Sequence, residues 1–286
     1  MTAELTLARR GFHDALVEDH TLSMSAGVAS NADADQRTSS VIAAQIATRL
    51  GAREIARKLP GQRAGKQFEV AVEAFLSRVF PLLQSIRPGD WKIENVGGSR
   101  AEYQIAKYEP FTHLDDLAEA IRRNPTLSAV LGNSYEISPD IIITRHPEAD
   151  EVINRDHDVV DATTGLRAVI RKVNQERGII HAVVSCKWTL RSDRAQNARS
   201  EALGVIRNRK GRAPHIVVVT GEPTPSRLAS LALGTGDVDM VYHFALAELV
   251  DAVRDSGNDE AESMLGILLD GKRLRDIADL PLDLAV

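Results

Sequence analysis

Three short β-branched runs, the last two each followed by a helical stretch, constrain this chain more than any other feature. Pro139-Asp140 leads into Ile141-Ile142-Ile143-Thr144, residues 179–187 (IIHAVVSCK) form the second run and residues 214–220 (PHIVVVT) the third. A fourth, weaker run lies at 238–245 (VDMVYHFA). β-Branched side chains suit a pleated, buried surface, and runs this short suit strands better than helices. Residues 192–208 predict the helix between the second and third strands, and residues 225–233 a short helix before the fourth; helices then follow to about residue 278. Upstream, residues 40–59 carry apolar positions at helical spacing and end at the stop signal Pro60-Gly61. Residues 65–85 predict another helix, disturbed near Pro81, and residues 112–124 open with a capping-box-like Thr112-x-x-Asp115. Helices first, then strands with helical crossovers, predict an α/β fold with a central mixed sheet flanked by helices.

A length of 286 residues suits one large domain or two modest ones, and the pattern is read as one domain over 1–286 with an N-terminal helical region to about residue 90. Residues 21–40 are poor in large apolar side chains and are expected to form a mobile arm. Residues 145–162, with six carboxylates and two histidines, are expected to form a long loop. No apolar run reaches the 18 residues of a membrane span, the first 25 residues lack a signal-peptide pattern, and a single cysteine excludes an internal disulfide framework. A cytoplasmic location is the expectation.

The net charge of −5 argues against a nucleic-acid partner only until it is mapped. Residues 251–286 hold nine acids and four bases, and so carry all of it. Residues 185–215 hold eight bases against two acids, a balance of +6 that can follow a phosphate backbone, although a solvated helix face is the commoner meaning of such a run. Aromatic residues are 4% of the chain, which favours a duplex over a stacked single strand. Residues 61–67 (GQRAGKQ) fall one residue short of a phosphate loop and lack its Ser/Thr, Gly234-Thr235-Gly236 lacks a third glycine, and the histidines show no zinc spacing.

The chemistry-bearing residues sit at strand ends. Side chains alternate along a strand, so Ser185 and Lys187 share a face and Cys186 takes the other. Pairing of the first two strands brings Asp140 to that face. A carboxylate and a lysine there suit metal-dependent phosphodiester hydrolysis, in which the carboxylate holds a hard cation that activates water and the ammonium offsets charge on the phosphate. One carboxylate is too few, and Ser185 stands where a second acid is expected. Glu201, fourteen positions beyond Lys187, can supply it if its helix returns along the sheet, and Glu69 on the 65–85 helix is a further candidate. Each residue also has a plainer reading: Pro-Asp as turn chemistry, Lys187 as a solubility residue, Glu201 as an exposed helix acid.

Pro139-Asp140, 46 residues, Lys187, 13 residues and Glu201 together resemble the permuted PD-(D/E)xK motif of type II restriction endonucleases that read a CCGG core. Arg191-Ser192-Asp193-Arg194 resembles their base-reading R-x-D-R element. The matched elements span about residues 69–201. The resemblance implies a restriction-endonuclease-like core in which Asp140, Lys187 and Glu201 are catalytic, Ser185 fills the vacated acid position and Glu69 is an accessory acid. It implies Mg2+, two ions per active site, held by Asp140, Glu201 and the backbone carbonyl of Cys186. It further implies double-strand cleavage of a GCCGGC-like palindrome after the first G, leaving four-base 5′ overhangs. The implied assembly is a homotetramer of two back-to-back dimers that binds two sites on double-stranded DNA, with residues 145–175 contributing to it.

The readout element is physically apt. Arginine pairs bidentately with guanine and aspartate accepts from cytosine N4, so Arg191 and Arg194 suit guanines and Asp193 suits cytosines. Without the resemblance, a surface ion-pair ladder is the simpler account. Arg227, expected in the loop after the 214–220 strand, is the candidate for the outer guanine, and Gln62 for the minor groove, with Asp33 or Asp35 of the arm beside it. The competing functions are a repair nuclease without sequence preference and a non-catalytic duplex-binding or assembly protein.

Overall fold

The β-branched runs pair in a single sheet of six strands, each lying beside the next in chain order. The strands are β3 (Trp91–Asn95), β4 (Ile141–Arg145), β5 (Ile179–Lys187), β6 (His215–Thr220), β7 (Met240–His243) and β8 (Leu274–Asp276). A computed structural model describes residues 2–97, 104–124, 126, 129, 137, 139–234 and 236–286. β4 runs antiparallel to both β3 and β5, while β5 through β8 are parallel, so the sheet is mixed. Parallel neighbours need crossovers. The helix Ser192–Asn208 links β5 to β6, Pro225–Ala232 links β6 to β7, and Leu246–Asp255 with Asp259–Asp270 links β7 to β8.

One apolar core extends from Ala8 to Leu284. The central strands are buried on both faces, which is why β4 and β6 read as continuous apolar runs rather than as alternating ones. The helices Glu4–Glu18 and Gly61–Val79 bring Phe12, Phe68 and Phe75 together, and Phe68 meets Trp188 just beyond β5 with ring centroids 5.0 Å apart.

Several elements differ from expectation. The second helix is Arg37–Arg49 rather than 40–59. Gly51 ends it at φ +71°, the left-handed geometry in which glycine has no Cβ penalty, and Ala52 N–H closes back on Ala47 O at 2.9 Å. Pro60-Gly61 opens the next helix instead of closing the last, since a proline at a helix start forfeits no bond. Residues 21–40 are not a free arm. They contain a hairpin of β1 (Met24–Ser25) and β2 (Val28–Ala29), with Thr21, Leu22, Ser23, Ala29 and Asn31 buried. Buried small polar residues replace the large apolar anchors whose absence suggested mobility. Asn31 Nδ2 donates to Gly221 O at 2.7 Å, tying the hairpin to the loop after β6. The expected 145–162 loop contains a one-turn helix, Asp150–Ile153. β3 and β8 had no clear sequence signal, because one is five residues with mixed polarity and the other only three.

Candidate active site

Antiparallel register sets Ile141 of β4 opposite Val184 of β5, so Asp140, one residue earlier, arrives opposite Ser185. The Asp140 carboxylate is seated by backbone: Cys186 N–H donates to Oδ2 at 2.7 Å. Ser185 Oγ donates to the same oxygen at 3.4 Å, and Lys187 Nζ lies 3.3 Å from it. The Asp140 carbonyl accepts from Val96 and Gly97 at 2.9 and 3.0 Å, which pins the end of β3 beside the cluster.

Glu201 does come back. The helix Ser192–Asn208 lays Ala198, Ala202 and Val205 against the sheet, and Glu201 falls within that inward stripe by the i+3, i+4 rule. Its Oε2 lies 3.3 Å from Ser185 Oγ, which donates to it, and 3.8 Å from Lys187 Nζ. Ser185 thus bridges Asp140 and Glu201. Cys186 is buried on the opposite face, and its N–H faces Asp140; the carbonyl of one strand residue points the same way as its N–H, so Cys186 O lies on the Asp140 side.

Glu69 reaches the cluster from the helix Gly61–Val79. A Cβ on Gly97 would lie 2.9 Å from Glu69 Oε2 and 3.3 Å from Asp140 Cα, so the chain passes between the two acids only as glycine. Lys66, dismissed with the phosphate-loop lookalike, donates to Glu69 Oε2 at 2.9 Å, Asn95 Oδ1 at 2.8 Å and Gly97 O at 2.6 Å. Lys66, Asn95 and Gly97 were missed from sequence. The Lys66–Glu69 i,i+3 spacing was the one signal available, because β3 had not been recognised.

The electrostatics are strained in one direction. Burial pushes the Glu69 carboxyl above the ordinary range, and the Asp140 charge adds to the shift. Burial also raises Glu201, with Asp140 acting in the same sense against the opposing pull of Lys187. Burial would lower Lys187, but the charges of Asp140 and Glu201 outweigh it and hold the ammonium protonated. Carboxylates that resist ionisation beside one another gain from a cation placed between them.

The donor set suits a hard divalent ion. Two carboxylates, a hydroxyl and a backbone carbonyl are all oxygen, and the buried thiol faces away. No group of three or more His, Cys, Asp or Glu side chains among the described residues forms a complete cage. Magnesium characteristically takes one or two carboxylates and fills its shell with water and phosphate oxygens.

The readout candidates lie at the same end of the sheet. Arg191 is exposed and stands in extended geometry just before the helix Ser192–Asn208. Arg194, in the first turn, donates to Thr189 Oγ1 at 2.9 Å. The side chain of Asp193 lies outside the described residues. Arg227 is in the helix Pro225–Ala232, not in the preceding loop, and its guanidinium pairs with Asp33 of the hairpin region. Asp33, Asp35, Arg191 and Arg227 line one open hollow of about 430 Å³. Gln62 is exposed in the first turn of the helix that carries Glu69, two turns ahead of it.

Comparison with known proteins supplies the family. The NgoMIV restriction enzyme family matches residues 12–286. The type II restriction enzyme NgoMIV of Neisseria gonorrhoeae is 50% identical over 287 residues, covering 100% of each chain. Among solved structures, the restriction endonuclease Bse634I with cognate DNA overlaps 86% of this chain and 92% of its own at 13% identity and a TM-score of 0.37. The restriction endonuclease PspGI in complex with substrate DNA overlaps 87% and 92% at 14% identity and a TM-score of 0.26. Overlaps that loose leave the assignment to the sequence matches. The molecule is a type II restriction endonuclease, a site-specific deoxyribonuclease. The chain belongs to the NgoMIV restriction enzyme family.

Proposed function

We propose that the enzyme cleaves both strands of GCCGGC with Mg2+, after the first G, leaving four-base 5′ overhangs. The observation that carries the chemistry is the convergence of Asp140, Ser185, Lys187 and Glu201 within 3.3–3.8 Å contacts at the ends of β4 and β5. Asp140, Glu201 and Cys186 O would hold the metal, with Glu69 near enough to serve a second ion. The metal, when bound, polarises the scissile phosphate and eases deprotonation of the attacking water. Lys187, kept charged by its two acids, orients that water and offsets charge gathering on the phosphate. Ser185 holds the two acids in register. Lys66 neutralises Glu69 until a cation competes for it.

Site choice is assigned to Arg191, Asp193 and Arg194 for the inner pairs, Arg227 for the outer guanine and Gln62 for the minor groove. The location of Arg191 and Arg227 around one hollow beyond the catalytic end of β5 supports that reading. Self-association as a tetramer that engages two DNA sites is supported by the segment after β4. Arg171, only 3% exposed, organises it through a bidentate pair with Asp150, yet Val159, Leu166 and Val173 stand 62%, 59% and 73% exposed. An ordered loop that displays large apolar side chains is suited to burial against another copy.

Incubation with plasmid and magnesium, followed by sequencing of fragment ends, tests the whole. Ends mapping to G^CCGGC are expected; heterogeneous ends would overturn the site assignment, and a lack of cleavage with any divalent ion would overturn the metal chemistry. Sedimentation of the wild type against Leu166→Asp tests assembly, with a smaller species expected for the variant.

A further inference from the structure

We infer that Glu222 is a positioning residue for specificity, locking the outer-pair reader Arg227 to the segment that carries Arg191 and Arg194. The inference rests on the DNA-reading roles proposed above for these arginines. Glu222 is wholly buried, at 0% exposure, in the loop between β6 and the helix Pro225–Ala232. A carboxylate is not left there without partners, because desolvating its charge is costly. Its Oε2 accepts from Leu190 N–H at 2.8 Å and its Oε1 from Thr224 N–H at 3.1 Å. Leu190 immediately precedes Arg191. Thr224 caps the helix whose first turn carries Arg227. One carboxylate therefore joins the exit of the catalytic strand to the start of the second reading helix.

The third link is to Arg227 itself. Glu222 Oε2 lies 3.9 Å from Arg227 Nη1, while Nη2 of the same guanidinium pairs with Asp33. The guanidinium is thus set between a buried acid and an acid lining the hollow. A base edge presented in the hollow can compete with the lining acid, while the buried acid stays beside the other terminal nitrogen of the guanidinium. Neighbouring bonds make the platform rigid. Thr220 Oγ1 donates to Lys187 O at 2.7 Å, Gly221 N–H donates to the same carbonyl at 3.1 Å, and Glu222 N–H donates to Thr220 Oγ1 at 3.2 Å. A Cβ on Gly221 would lie 2.5 Å from the Trp188 ring, so the two loops touch without slack. Displacement of Glu222 would shift Arg227 relative to Arg191 while leaving the Asp140–Ser185 pairing intact.

The test compares kcat and KM of the whole enzyme on three duplexes: GCCGGC, a duplex substituted at the outer pair and one substituted at an inner pair. Arg227→Ala is the reference, expected to reduce outer-pair discrimination by about tenfold or more, as loss of a bidentate guanine contact does. Glu222→Gln keeps the size and one acceptor but removes the charge facing Arg227; it is expected to reduce outer-pair discrimination several-fold and inner-pair discrimination less. In the Arg227→Ala background, Glu222→Gln should add no further loss at the outer pair. A uniform fall in cleavage of all three duplexes, tracking a lower melting temperature, would overturn the inference in favour of a purely structural role. Unchanged discrimination in Glu222→Gln with loss in Arg227→Ala would overturn it while sparing the reading of Arg227. No effect in Arg227→Ala would overturn both. Glu222→Ala, which deprives Leu190 N–H of its acceptor, should extend the loss to the inner pair if it folds; the Gln variant decides the matter if it does not.

Discussion

Two of the clusters that set one base against two acids behave in opposite ways. In the first, Arg9 meets Glu248 and Asp276; in the second, Lys187 meets Asp140 and Glu201. The exposures are similar, 21%, 18% and 16% in the Arg9 cluster against 15% for Lys187 and 16% for Asp140, with Glu201 more open at 37%. The formal charge of each triad is the same. Arg9 spreads its fork over both acids with four bonds of 2.6–3.0 Å, and Asp276 also accepts from Leu246 and Ala278 N–H. Burial alone would raise Glu248 and Asp276, but Arg9 holds both below the ordinary carboxylate range. Lys187 is a point charge at 3.3 and 3.8 Å, and Glu201 remains raised. Hydrogen-bond saturation, rather than charge count, separates a structural ion cluster from one whose oxygens are free for a cation.

That contrast can be broken most severely at Asp140. Asp140→Asn should lower cleavage by about 10³-fold or more while binding to the site in Ca2+ persists, because an electrostatic centre is removed without loss of shape. Cleavage assays beside gel-shift titrations check this, and near-full activity would remove Asp140 from the chemistry. Arg9→Ala should do the reverse. It leaves two part-buried acids unpartnered and should cost about 2 kcal/mol in denaturant unfolding, below the range for fully buried pairs because the cluster is partly wet. Its cleavage rate, measured where the protein is folded, should stay near wild type.

The pH dependence sharpens the comparison further, because the signs differ. Glu201 has a folded-state pKa raised above 4.5, so its stability contribution is present at low pH and is lost as pH rises through the raised value. Glu248 and Asp276 are lowered, so their contribution is present above the unfolded values and is lost as pH falls through the lowered ones. Metal-free Glu201→Gln should therefore melt higher than wild type near neutral pH, yet fail to cleave. A melting profile parallel to wild type at every pH would count against a strained Glu201.

Lys66→Met gives the smallest expected effect. Removal of the ammonium from Glu69 leaves a more negative site, and the magnesium concentration at half-maximal rate should fall by about two- to fivefold. A rise instead would mean that Lys66 organises Glu69 and Gly97 for the metal rather than competing with it.

Much of the catalytic end was legible because its information is local. Pro139-Asp140 before an apolar run, and Ser185 and Lys187 alternating on one strand, follow from strand geometry alone. Glu201 was legible only as a possibility, since its inward aim depends on Ala198, Ala202 and Val205 finding the sheet. The hairpin region was misread because its anchors are buried polar groups such as Asn31, whose partner Gly221 lies 190 positions away. Glu222 and Lys66 gave no signal for the same reason: each acts through backbone or side chains brought in by other elements.

The sequence by itself determined the strand positions of Asp140, Ser185 and Lys187 and the separation of a basic stretch from an acidic C-terminal one. Periodicity and spacing encode such features within one element. The tertiary structure alone decided which oxygens share a proton donor, which base is saturated by its acids and which is left wanting. Those depend on distances of a few tenths of an ångström between elements remote in the chain, and no pattern along one strand records them.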